Sequence, residues 1–173
     1  WLAGDDGRSV SWLSLDPQDN DPTQFWTYTI TALQSHEPTL GGSSLALLHS
    51  LQPPPIESIL TSLINELSAS SRFHVLVLDD LHTIEHGAIH QALGFLLDHL
   101  PAQLRLVVTT RADPPMNLAR LRARGEMNEL RSSDLRFTRD EAGAFLNDVM
   151  GLRLTDGDVR ALDDRAEGWI AGL

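Results

Sequence analysis

The chain has 173 residues, 42% hydrophobic and 21% charged, with a formal net charge of −11 and no cysteine. That length supports one domain with a sizeable core and the beginning of a second. Disulfide frameworks, thiolate nucleophiles and cysteine-held zinc are excluded, and the acidic balance opposes binding of a phosphate backbone by this segment alone.

In chain order, VSWLSLD (10–16) alternates apolar and polar residues and predicts a strand. DNDPTQ then starts a helix, with Asp21 as cap, Pro22 at the first helical position and Gln24 three residues after the cap. Phe25, Trp26, Thr29, Ile30 and Leu33 give that helix one buried face. HEPTLGGSS breaks it, and a short helix within the following loop ends at LQPPP, because three prolines cannot lie inside a helix. Ile56, Ile59, Leu60, Leu63, Ile64 and Leu67 follow helical spacing. FHVLVLDD (73–80) is unbroken in its apolar character, the pattern of a parallel strand buried on both faces.

The next helix carries Ile89, Leu93, Leu96, Leu97 and Leu100 and stops near Pro101. LRLVVTTR (104–111) reads as a second apolar strand, and MNELRS (127–132) as a short further one. Thr138 with Glu141 and Thr155 with Asp158 form capping boxes before two helices, the second extending to Ile170. Strands therefore alternate with helices to about residue 136, and only helices follow, as in a parallel α/β layer succeeded by a helical domain. No stretch offers the ~20 apolar residues of a membrane span. WLAGDDGRSV lacks the regions of a signal peptide, so the expected setting is cytoplasmic, without a membrane.

Ligands of such sheets bind beyond the carboxyl ends of the strands. Asp79 and Asp80 end one predicted strand and Thr109, Thr110 and Arg111 end the next. A hydrophobic strand closing on two acids is the Walker B pattern, in which an oxygen ligand serves Mg²⁺. Two adjacent carboxylates repel each other unless a cation or donors offset them. The plain alternative is a pair of exposed aspartates at a helix start. The planar guanidinium of Arg111 suits phosphate, or an ion pair with Asp79, Asp80 or Asp113.

His82, Glu85 and His86 also spell H-x-x-E-H, a zinc-peptidase arrangement that His90 extends. Against it, His82 lies two residues past the strand, in a turn, and a third ligand has no candidate. Arg120, Arg122 and Arg124 cluster without the interleaved aromatics of a nucleic-acid platform, which favours a solvated face. Trp12, Trp26 and Trp169 read as packing residues.

VSWLSLDPQDNDPTQFWTYTITAL, VLVLDDLHTIE, the long run from ALGFLLDHLP to FTRDEA, and AEGWIAGL together resemble the large ATP-dependent, LuxR-type, MalT-like transcriptional regulators of the STAND class of signalling NTPases. The resemblance implies an α/β, three-layer, P-loop NTPase-like parallel sheet over residues 1–137 and the start of a helical lid domain over 138–173. It also implies ATP as the cofactor, with Mg²⁺ held through water by Asp79. Asp80 would be the catalytic or water-positioning acid, and Arg111 the sensor of nucleotide state. It implies self-association on activation, with DNA bound only through a C-terminal helix-turn-helix outside this chain. His82 stands where the family often has histidine.

Every basic side chain here is arginine. The G-x-x-x-x-G-K-[ST] loop of that family, and its lysine, are therefore missing from these residues. The expectation is a segment that begins after the P-loop, leaves a sheet edge open where the P-loop strand would lie, and binds ATP weakly alone. An interaction domain with a degenerate NTPase fold is the alternative.

Overall fold

The computed structural model describes residues 8–169. They divide into two compact units, Trp1–Asn117 and Leu118–Leu173, each described by itself. In the first, strands β1 (Arg8–Ser14), β2 (Phe73–Asp79) and β3 (Leu104–Val108) form a parallel sheet in the order β1-β2-β3. Helices α1 (Pro22–Gln34), α2 (Gly42–Leu48), α3 (Ile56–Ala69) and α4 (Gly87–Asp98) fill the crossovers. This is the α/β architecture that the strand-helix alternation predicts.

The helix signals act as expected. The Asp21 carboxylate accepts from the Gln24 N–H at 2.8 Å, and Pro22 opens α1. Gly41, at φ 71°, is the one residue type that fits before α2, because a Cβ there would collide with the Ile30 side chain. Its N–H donates to Glu66 Oε2 at 2.7 Å.

The register puts Val10, Trp12, Val75, Val77, Arg105 and Val107 on one face of the sheet, and Leu13, Leu76, Leu78, Leu104, Leu106 and Val108 on the other. The second face joins the core. Leu76, Leu78 and Leu104 pack in one cluster with Phe25, Trp26 and Ile30 of α1, Ile59, Leu60 and Leu63 of α3, and Ile89 and Leu93 of α4. Fully burying a side chain of this size contributes roughly 1.5–3 kcal/mol, so this cluster fixes which face the helices occupy.

The opposite face does not enter the cluster. Val75 and Val77 are buried there, but Trp12 is 54%, Phe73 58% and Val107 37% exposed. Central β2 is therefore shielded throughout its middle, as its apolar run predicts, whereas β3 alternates between buried and exposed residues. Trp26 is a core residue. Trp12 is not; it stands on the open face and donates to Ser14 Oγ at 3.2 Å.

The second unit contains α5 (Leu118–Arg124), α6 (Arg139–Ala144), which continues as a π turn over Phe145–Val149, and α7 (Asp156–Ala166). Both capping boxes form as read. Ala142, Leu146 and Val159 make a small core with Phe137, Phe145, Leu154 and Leu162 around it. α7 ends at Ala166, followed by Glu167 and Gly168 at positive φ; Ile170 and the residues after it lie outside the described residues.

MNELRS is not a strand. Its Glu129 is gripped by Arg122 (Nη2, 2.6 Å) and Arg131 (Nη2, 2.9 Å), and Leu130 is 77% exposed. The two guanidiniums hold the Glu129 carboxyl below its ordinary range. Arg124 lies 3.9 Å from Glu126, so Arg122 and Arg124 both have acidic neighbours and no basic face projects from α5 through them. Trp169 is 41% exposed, with the Arg136 guanidinium over its ring, so it too lies outside a core.

Candidate functional site

The carboxyl rim of the sheet is assembled by hydrogen bonds that run past the strand ends. Leu15 N–H donates to Asp79 O, Thr109 N–H to Leu78 O, and Leu81 N–H to Thr109 O, each at 3.0 Å. Asp79, Asp80 and Thr109 are thereby brought to one edge by neighbouring parallel strands.

Thr109 organises the two acids. Its hydroxyl donates to Asp79 Oδ1, and its hydroxyl oxygen accepts from the Asp80 backbone N–H at 2.9 Å. Asp79 is thus held by a fixed donor. Asp80 has φ 59° and ψ 40°, in the left-handed region. That conformation costs a non-glycine residue roughly 1–2 kcal/mol, with Asp among the side chains that tolerate it best. The Asp80 carboxylate is 54% exposed and accepts no hydrogen bond from a described residue. One acid is anchored, and the other accepts no hydrogen bond among the described residues.

The loop after the acids is braced from several sides. Asn20, in the β1–α1 loop, donates through Nδ2 to Thr83 O (2.9 Å) and Pro17 O (3.1 Å). Its Oδ1 accepts from the N–H groups of Glu85 (2.7 Å) and His86 (3.0 Å). All four hydrogen-bonding positions of the amide are used. His90 is buried, and its Nε2 lies 2.7 Å from Ile84 O. Thr83 returns its hydroxyl and its N–H to Asp80 O, both at 3.0 Å. The acids therefore stand on a turn cross-linked to β3, to α4 and to the loop before α1.

Arg111 lies two residues beyond Thr109. It is exposed, and among the described residues neither Asp79 nor Asp80 is paired with it. The structure thus brings Asp79, Asp80 and Thr109 together and joins neither acid to the Arg111 guanidinium.

The H-x-x-E-H reading does not survive the local geometry. α4 starts at Gly87, so His82 lies in a separate turn, Leu81–Thr83, and the three residues share no helical face. His86 caps α4, its Nδ1 accepting from the Ala88 N–H at 3.3 Å, and His90 is turned to Ile84 O. Among the described residues no three His, Asp or Glu side chains converge as metal ligands.

Two residues of this site carry more than the sequence shows. Thr109 stands out there only as a polar strand end beside Arg111, whose guanidinium is the more obvious phosphate partner. Asn20 was hidden beside the cap and proline of DNDP, and only its contacts 63 to 66 residues away reveal it.

Known proteins are similar to this chain. Over 168 residues, 97% of the chain, it is 38% identical to the serine/threonine-protein kinase PknK of Mycobacterium tuberculosis, covering 15% of that protein. Over all 173 residues it is 35% identical to the HTH-type transcriptional regulator MalT of Yersinia enterocolitica, covering 19% of it. The MalT of Yersinia pestis matches at 35% over the same span. The chain is similar from end to end to a segment of each. It spans less than a fifth of these curated relatives. No protein-family model matches. The similarity supports a regulator segment of the MalT type, with the kinase as a second context for the same kind of segment. No helix among the described residues is long and apolar enough to cross a membrane.

Proposed function

We propose that this segment is the Walker B part of an ATP-binding switch module in a MalT-like signal-transducing regulator. The observation that carries the reading is the Thr109 hydroxyl joined to both Asp79 and the Asp80 backbone at the sheet's carboxyl rim. A carboxylate preset by a neutral donor keeps its other oxygen for water on Mg²⁺, which takes oxygen ligands and retains its waters. Asp79 fills that role. Asp80, half exposed, positions the attacking water, and the exposed Arg111 contacts the phosphates once nucleotide arrives.

The nucleotide core extends to about residue 137, and the helices from 138 begin a lid. ATP promotes self-association of the parent protein, and DNA is bound by a helix-turn-helix elsewhere in it. These 173 residues contain no lysine, so the chain alone binds Mg-ATP weakly. Titration of the full-length protein with Mg-ATP tests the reading: Asp79→Ala is expected to weaken binding by about tenfold, the loss of about 1.4 kcal/mol of metal-dependent interaction. Tight binding indifferent to that substitution would sink the site assignment.

A non-catalytic interaction domain is the second reading, favoured by the exposed Trp12, Phe73 and Val107 on the sheet face opposite the core cluster. Absence of Mg-ATP binding in the full-length protein would decide for it.

A further inference from the structure

The turn that follows the acids holds an imidazole whose contacts are incomplete. His82 Nδ1 is buried and has no hydrogen-bond partner. The nearest opposite charge is Asp80 Oδ1, at 3.6 Å. That distance lies beyond a hydrogen bond, so the ring nitrogen faces the carboxylate without bonding it.

The turn itself has little room to close the gap. Leu81 N–H is bonded to Thr109 O, Thr83 O to the Asn20 amide and Ile84 O to the His90 ring. Asp80 does have that freedom. Its side chain is half exposed and accepts no hydrogen bond among the described residues, so its rotation toward Nδ1 breaks no such bond. A buried ring nitrogen without a partner on one side and an acceptor without a donor on the other make a contact ready to form when the rim is shielded from water, since a charge-assisted bond strengthens on desolvation.

We infer that His82 is a positioning residue for Asp80, its Nδ1–H closing onto one carboxylate oxygen when a nucleoside triphosphate occupies the rim and leaving the other oxygen to hold the attacking water. This rests on the nucleotide reading above. In the hydrolytic step the water oxygen bonds to the γ-phosphorus, and the bond from that phosphorus to the β–γ bridging oxygen breaks with its electron pair left on the diphosphate. The free Asp80 oxygen receives the water proton, which departs with the phosphate. His82 keeps its own proton throughout and touches neither water nor phosphate.

The test is steady-state ATP hydrolysis, with Mg-ATP binding measured alongside, on the full-length protein. His82→Phe keeps the ring volume without a donor and is expected to lower kcat about tenfold or more, with Mg-ATP affinity within about twofold of wild type. His82→Asn places an amide N–H where Nδ1 stands and restores most of kcat; His82→Gln places it at the Nε2 position and does not. Equal rates for the Asn and Gln variants, or wild-type kcat in His82→Phe while Asp79→Ala and Asp80→Asn abolish hydrolysis, overturn this inference and leave the nucleotide reading intact. Binding of Mg-ATP without any hydrolysis by the wild type overturns this inference alone. Failure of the wild type to bind Mg-ATP at all removes both.

Discussion

The two ends of β2 hold ionisable groups under opposite conditions. Near the amino end, His74 is fully buried, with Nε2 at 3.1 Å from Ser70 Oγ and 3.3 Å from Glu37 Oε2, while the Ser70 hydroxyl donates to the same Glu37 oxygen at 2.8 Å. Burial is the main influence on the ring and keeps its pKa below the ordinary 6.5; Glu37 opposes it, and Arg72 and His36 assist it weakly. At the carboxyl end, Asp79 is anchored by Thr109 and Asp80 stands in a left-handed conformation, half exposed and unbonded. One end has its polar groups packed against loops from α1 and α3. The other has one carboxylate held by a hydroxyl and one that accepts no hydrogen bond among the described residues. The two clusters lie at opposite ends of one seven-residue strand.

The largest expected effect comes from cutting the brace at the carboxyl end. Asn20→Ala removes four hydrogen bonds at once, three of them to the loop after the acids. At about 0.5–1.5 kcal/mol each, less where water can replace them, the expected loss is about 2–3 kcal/mol in a urea or thermal unfolding experiment. A loss under about 0.5 kcal/mol would show that the loop holds its shape without the amide.

Thr109→Val keeps the side-chain volume but removes the hydroxyl between Asp79 and the Asp80 N–H. Stability is expected to fall by about 1–2 kcal/mol, and in the full-length protein the Mg-ATP affinity with it. Unchanged nucleotide affinity would mean that Asp79 needs no preset partner.

The amino end predicts a pH dependence. Because the folded-state pKa of His74 is lowered, the unfolded chain binds more protons than the folded one below the ordinary value of 6.5. The contribution is therefore complete above that pH and declines as pH falls toward the depressed folded value. Chemical unfolding at a series of pH values between neutrality and mild acid should show this decline, and His74→Gln should flatten it. An undiminished slope in that variant would assign the effect to other groups.

The smallest effect has the opposite sign. Asp80→Gly removes the left-handed strain and should raise stability by about 0.5–1 kcal/mol, while ATP hydrolysis by the full-length protein is lost. A destabilised Asp80→Gly would show that the turn is not strained.

Much of the first unit was legible because its signals are local. Asp21 and Pro22 fix the start of α1, the i, i+3, i+4 spacing from Ile56 fixes α3, and the unbroken apolar run into Asp79 fixes the central strand. MNELRS failed because its character is decided by partners: Arg122 and Arg131 hold Glu129 in an irregular segment, where propensity suggested a strand. The H-x-x-E-H pattern fails for a related reason, since three hydrogen bonds to Asn20 and one to His90 hold the turn that already separates His82 from the helix.

By itself, the sequence determined the parallel α/β order, the helix starts and the carboxylates at the strand end, since hydrophobic period and capping chemistry act over a few residues. The tertiary structure alone decided that Thr109 links the two acids, that Asn20 and His90 shape the turn, that His82 faces Asp80, and that Trp12 stands on an open face. Those facts depend on the register of strands and loops far apart in the chain, and a side chain's role there is set by which neighbour folding brings within hydrogen-bond reach.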